Sequence, residues 1–149
     1  MFQSGTTEAD TETWSDAESE VSVRVLVVDD DPDSRMLMRR VLETKSVFQV
    51  VGEAADGVEA LKRMDELRPQ LVIMDVRMPQ MDGIEATRRI KEKWPDTAVV
   101  GFSAFGDKER EMLAAGASAY ILKDLASDEV IALIRTAADG ASTTGGRKP

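Results

Sequence analysis

Cysteine and histidine are both absent from the 149 residues. Without cysteine there is no disulfide framework, no thiol nucleophile and no thiolate-bound zinc. The lack of histidine excludes more: no Ser-His-Asp triad, imidazole base or phosphohistidine donor can exist in this chain. Aromatics are scarce at 5%, so Val, Ile, Leu, Met and Ala must fill the core that a hydrophobic content of 42% allows. Positive charge is short as well, with 19 Lys and Arg against 28 Asp and Glu and a net charge of −9. Binding nucleic acid by neutralising phosphates needs the opposite balance, so no direct nucleic-acid contact is expected. No run approaches the roughly 18 apolar residues of a membrane span, and no basic-then-apolar signal peptide opens the chain. The composition reads as a soluble, cytoplasmic, single-domain protein with no membrane partner.

The negative charge is unevenly spread. Glu8, Asp10, Glu12, Asp16, Glu18 and Glu20 account for two-thirds of the net charge, and residues 1–20 contain no Lys or Arg. Ser, Thr and Gly fill most of the remainder, and such a stretch buries too little apolar surface to order itself. Residues 1–20 are therefore expected to be a disordered acidic tail and 21–139 the folded domain. Gly-rich, polar residues 140–149 are expected to form a flexible tail or linker stub. Met1 and the acidic leader suit a natural start, and the chain reads as a stand-alone protein.

Short apolar runs rich in β-branched residues recur at Val23–Val28, Phe48–Val51, Leu71–Met74, Ala98–Phe102 and Tyr120–Leu122. Their continuous pattern predicts strands covered on both faces, as in a parallel sheet. Between them lie helical spacings: Leu37, Val41 and Leu42; Val58, Leu61, Met64 and Leu67; Ile84, Thr87, Ile90 and Trp94; Met112 and Ala115; Val130, Leu133, Ile134 and Ala137. Asp31-Pro32 marks an N-cap with proline at the first helical position, and Asp82-Gly83 opens a helix that stops at Trp94-Pro95. Gly116 ends the fourth helix, and Ser127-Asp128-Glu129 starts the fifth with acids at its positive end. Trp94, Phe48 and the methionines are assigned to packing. Five alternations of strand and helix predict a doubly wound α/β fold with a five-stranded parallel sheet. Chemistry in such sheets lies at the carboxyl ends of the strands, beside the switch in strand order.

Those ends carry Asp29-Asp30-Asp31, Asp75, Ser103-Ala104 and Lys123. Parallel strands would bring them to one edge as a cluster of carboxylates with one hydroxyl and one ammonium. Crowded carboxylates repel unless a proton or cation compensates. With oxygen ligands alone on offer, the fitting cation is Mg2+, which favours carboxylates and phosphate oxygens. Lys123 suits a phosphoryl oxygen and Ser103 is a hydrogen-bond donor, so the set describes phosphoryl transfer to an aspartate. Removal of Asp30 is expected to weaken Mg2+ binding and raise metal-free stability by about 1–3 kcal/mol.

Over about residues 22–139 the sequence resembles the receiver domain of two-component response regulators. The matching pieces are Val27-Val28-Asp29-Asp30, Asp75, Met78-Pro79, Asp82-Gly83, Ser103-Ala104, Gly116-Ala117 and Tyr120-Ile121-Leu122-Lys123. The resemblance implies a flavodoxin-like fold and a phosphorylation-controlled switch rather than a turnover enzyme. It implies that Asp75 accepts the phosphoryl group from a sensor histidine kinase or phosphotransfer protein. Mg2+ would be held by Asp30, Asp75 and the backbone carbonyl of Arg77, with Asp29 acting through water. Ser103, Ala104 and Lys123 would bind the phosphoryl oxygens, and Ser103 with Tyr120 would form the switch. Arg77 and Phe105, each two residues beyond a phosphoryl-contacting position, would border the path of the hydrolytic water and tune the lifetime. An unknown downstream protein and a phosphorylation-dependent homodimer are the further partners it implies.

One departure is Lys123-Asp124, where many receivers have Lys-Pro; a trans bond is expected because cis before a non-proline costs roughly 2.5–4 kcal/mol. That feature, with Asp31-Pro32, is similar to receivers that precede a helix-turn-helix domain, so the isolated receiver of a DNA-binding regulator is the alternative to a stand-alone protein. Asp29-x-Asp31 after the first strand also fits a haloacid-dehalogenase-like phosphatase, which leaves Met78-Pro79 and Asp82-Gly83 unexplained. A pseudo-receiver that is never phosphorylated would be expected to lack an acidic residue or the acceptor, and none is lacking.

Overall fold

The computed structural model describes residues 22–147, with side chains described as far as Gly140. The acidic stretch 1–20 lies outside the described residues. Ten elements alternate along the chain: β1 (Val23–Val28), α1 (Pro32–Glu43), β2 (Phe48–Ala54), α2 (Gly57–Leu67), β3 (Leu71–Met74), α3 (Gly83–Lys93), β4 (Ala98–Ser103), α4 (Glu109–Ala115), β5 (Ala119–Leu122) and α5 (Ser127–Arg147). The strands form one parallel sheet in the order β2-β1-β3-β4-β5. The chain first builds outward from β1 to β2, then crosses back to β3, so the switch in strand order lies between β1 and β3.

Alternating side chains of the central strands serve opposite faces of the sheet. Val25, Val27, Leu71, Ile73 and Val100 pack with Met38, Leu42 and Ile134 of α1 and α5. Leu26, Val28, Val72, Met74 and Val99 pack with Ala60, Met64, Ala86, Ile90 and Met112 of α2, α3 and α4. Every residue of β3 is buried, as its unbroken apolar run requires. Among the described residues no helix is long and apolar enough to cross a membrane.

Helix starts follow their caps. The Asp31 carboxylate accepts from the Asp33 N–H at 3.1 Å, and Asp82 accepts from the Glu85 N–H at 2.9 Å. Gly116 closes α4 at φ +119°, a conformation that β-carbon sterics make costly for other residues. Lys123–Asp124 is trans, like every described peptide bond.

Several boundaries differ from the sequence reading. β2 continues past Val51 to Ala54, because an edge strand tolerates the half-exposed Gly52-Glu53 pair that breaks the apolar run. Helix α5 runs past residue 139 to Arg147: no proline before Pro149 breaks it, and Gly140, Gly145 and Gly146 weaken a helix without forbidding it. The inward row of α1 is Met38 and Leu42, while Leu37 is 64% exposed and Met36 46% exposed. Val58 and Leu133, which belong to the apolar helical spacings, are also exposed.

Candidate functional site

Three strands, β1, β3 and β5, are each followed by a functional residue tied to the neighbouring strand by one further ladder bond. The Asp29 N–H donates to the Ala54 carbonyl at 3.0 Å, and the Asp75 N–H donates to the Val28 carbonyl at 2.9 Å. The Lys123 N–H donates to the Ser103 carbonyl at 2.9 Å. These bonds fix the backbones beneath the side chains at one edge of the sheet, beside the β1/β3 switch. Asp29 and Asp75 are buried at 3% and 8% exposure, while Asp30 is exposed. Oxygens of the three carboxylates lie within 4.8 Å of one another.

Lys123 is the counter-ion. Its Nζ lies 2.8 Å from Asp29 Oδ2 and 3.5 Å from Asp75 Oδ2. Asp29 also accepts from Ser34 Oγ at 2.7 Å on Oδ2 and from the Asp31 N–H at 2.9 Å on Oδ1. Burial pushes the Asp29 carboxyl up, but hydrogen bonds from Lys123, Asp31 and Ser34 prevail and hold it below the usual carboxylate range. Asp75 has the opposite balance. Burial, reinforced by the Asp29 charge, pushes its carboxyl up to about 6, against the Lys123 charge and the Val76 N–H that donates to Oδ1 at 2.8 Å. Burial disfavours the Lys123 ammonium, and the two aspartates more than restore it, holding its pKa above the usual lysine value. The repulsion expected at Asp30 thus falls on the buried pair Asp29 and Asp75.

The loops above the sheet edge join the remaining residues. Ser103 is buried, and its Oγ accepts from the Phe105 N–H at 3.3 Å. The Phe105 carbonyl accepts in turn from the Tyr120 hydroxyl. Tyr120 is half-buried and lies beside Gly101, where an added Cβ would approach its ring to 2.8 Å. Arg77 points away from the carboxylates: its Nη2 pairs with Asp107 Oδ2 at 2.5 Å, and its guanidinium sits 5.7 Å from the centre of the Phe105 ring. Phe105 and Ala104 are exposed in the turn after β4. Gly83 explains the Asp82-Gly83 pair, since a Cβ there would come within 1.9 Å of the Asp75 carbonyl oxygen. Asp31 serves as the cap of α1 and is exposed.

The structure therefore gathers Asp29, Asp30, Asp75 and Lys123, and links Ser103 to Tyr120 through the backbone of Phe105. The Arg77 side chain stands apart, on Asp107. Three participants were not singled out from sequence: Ser34, Asp107 and Gly101. Only Ser34 had a local signal, a hydroxyl in the first turn of the helix that Asp31 caps. The carboxylate set offers hard oxygen donors with no imidazole or thiolate, which fits a magnesium ion.

Residues 25–135 match the family model of the response regulator receiver domain. YhcZ, a transcriptional regulatory protein of Bacillus subtilis, is 39% identical over 111 residues covering 73% of this chain and 52% of YhcZ. The chain spans about half the length of the first curated relatives it matches. A LuxR-family two-component response regulator from Aurantimonas superposes with a TM-score of 0.76 at 33% identity, covering 80% of this chain and 86% of that one. The CheX-CheY-BeF3-Mg2+ complex of Borrelia burgdorferi contains a chain that superposes with a TM-score of 0.75 at 27% identity, covering 80% and 92%. Fold, strand-end carboxylates and family match agree, and the chain belongs to the receiver domains of two-component response regulators.

Proposed function

We propose that Asp75 accepts a phosphoryl group from the phosphohistidine of a sensor histidine kinase or phosphotransfer protein, and that the phosphorylated chain offers a changed face to a downstream protein. The observation that carries this reading is the Lys123 ammonium shared between Asp29 and Asp75. An Asp75 oxygen forms the new bond to phosphorus while the bond from phosphorus to the donor imidazole nitrogen breaks, its electron pair leaving with that nitrogen. The donor imidazole is supplied by the partner, since this chain has no histidine.

Asp30, Asp75 and the Arg77 carbonyl would hold Mg2+, with Asp29 acting through water, and the ion when bound neutralises charge on the phosphoryl oxygens. Lys123 moves its ammonium from the aspartates to a phosphoryl oxygen. The Ser103 hydroxyl and the Ala104 N–H serve the other oxygens. Because the Phe105 N–H donates to Ser103 Oγ, a shift of that hydroxyl pulls on the turn whose carbonyl holds Tyr120. The chain is a switch with a finite phosphoryl lifetime. Arg77 and Phe105 border the approach of the water that ends it.

Intact-mass spectrometry tests the assignment. With acetyl phosphate and magnesium the protein gains one phosphoryl mass, whereas Asp75→Asn gains none and EDTA abolishes the gain in the natural sequence. Full labelling of Asp75→Asn would refute it.

A further inference from the structure

We infer that Ser34 is a positioning residue for phosphoryl transfer: its hydroxyl keeps Asp29 in place when Lys123 leaves Asp29 for the phosphoryl group. The inference rests on the function proposed for Asp75. Asp29 Oδ2 has two side-chain donors in the structure, Lys123 Nζ at 2.8 Å and Ser34 Oγ at 2.7 Å. The same ammonium lies 3.5 Å from Asp75 Oδ2, so a charge arriving on Asp75 draws it from one carboxylate to the other. Ser34 is then the side-chain donor of this protein left on that oxygen, among the described residues. A buried carboxylate oxygen without a donor is costly, and Asp29 is only 3% exposed.

Ser34 is well placed to stay behind. It lies in the first turn of α1, whose start is fixed by the Asp31 cap. The next residue, Arg35, donates from Nη1 to the Asp29 carbonyl at 2.7 Å, so α1 holds both the backbone and the side chain of Asp29. The role belongs to the hydroxyl and not to bulk. Ser34 and Lys123 line the polar end of a cavity of about 140 Å3 whose apolar walls include Met38, Phe102 and Leu125. Ser34→Thr keeps the hydroxyl and adds one methyl beside this space, which makes it the conservative test of the hydroxyl.

Beryllofluoride with magnesium, a stand-in for the phosphoryl group, probes the loaded state without turnover. Binding is followed by amide NMR in the natural sequence, Ser34→Ala and Ser34→Thr, with thermal unfolding as the check that each is folded. Ser34→Ala is expected to bind beryllofluoride about tenfold more weakly, which corresponds to about 1.4 kcal/mol, and Ser34→Thr within about twofold of the natural sequence. The Asp31 amide, bonded to Asp29 Oδ1, reports on the carboxylate directly. In Ser34→Ala it should stay near its natural position without metal, where Lys123 still holds Asp29, and depart from it when beryllofluoride is bound. Equal affinity in all three proteins, or a Ser34→Thr protein as weak as Ser34→Ala, would overturn the role of the hydroxyl. An Asp31 amide displaced as far without metal as with beryllofluoride would overturn it too. Failure of the natural sequence to bind beryllofluoride at all would instead overturn the reading of Asp75, and this inference with it.

Discussion

Asp29 and Asp75 are the same residue type in neighbouring buried positions, and their surroundings push them in opposite directions. Lys123, the Asp31 N–H and Ser34 converge on Asp29, so it stays ionised. Asp75 receives less help and feels the Asp29 charge, so burial lifts it to about 6. A carboxyl that is harder to ionise in the folded chain than in the unfolded one takes up protons on folding between about pH 4 and pH 6. Its contribution to stability is fully present below about pH 4 and is lost as pH rises through 6. Asp75→Asn should therefore be more stable to unfolding than the natural sequence at pH 8 in EDTA, by about 1–2 kcal/mol, and the gain should vanish near pH 4. Urea titrations at the two pH values measure it. A gain of the same size at both would assign the effect to packing. Asp30 is exposed, so the larger gain expected from its removal at the sequence level moves to Asp75.

The elements around the site were legible to different degrees. Strand ends carrying Asp29, Asp75, Ser103 and Lys123 could be read because a buried parallel strand is an unbroken apolar run that ends abruptly in charge. Asp31, Asp82 and Gly116 marked helix ends because capping is a local interaction. The inward row of α1 was misread, since Leu37 and Met38 are adjacent and both apolar, and spacing alone does not choose which faces the sheet. The partner of Arg77 was illegible, because Asp107 lies 30 residues away and no local pattern links them. That pair nonetheless ties the β3–α3 loop to the β4–α4 loop, with the Phe105 ring beside the guanidinium. It holds two bulky side chains where the attacking water is proposed to pass. Trimming either Arg77 or Phe105 to alanine should speed loss of the phosphoryl group from Asp75, and a tenfold change needs only about 1.4 kcal/mol of barrier. Single-turnover decay of the phosphorylated proteins decides this. If both variants decay no faster than the natural sequence, the two side chains do not shield the phosphorus.

For the molecule as a whole, topology turns distant residues into one device. Strand order β2-β1-β3-β4-β5 sets the ends of β1 and β3 side by side, and β4 and β5 complete the same edge. Lys123 thereby reaches across to Asp29, which it follows by 94 residues. The residues proposed as the switch lie on that side too: Ser103 ends β4, Tyr120 lies in β5, and the turn at Phe105 joins them by two hydrogen bonds. Gly101 leaves room for the Tyr120 ring beside β4, where a β-carbon would crowd it. On the proposed function, occupancy of Asp75 would be read at Tyr120 through one hydroxyl and one turn. Amide NMR on addition of beryllofluoride and magnesium tests this most directly, in the natural sequence and in Ser103→Ala. Phe105 and Tyr120 should shift in the natural sequence, while Ser103→Ala still binds beryllofluoride and leaves Tyr120 in place. Shifts at Tyr120 of equal size in both proteins, or none in the natural sequence once the site is saturated, would contradict it.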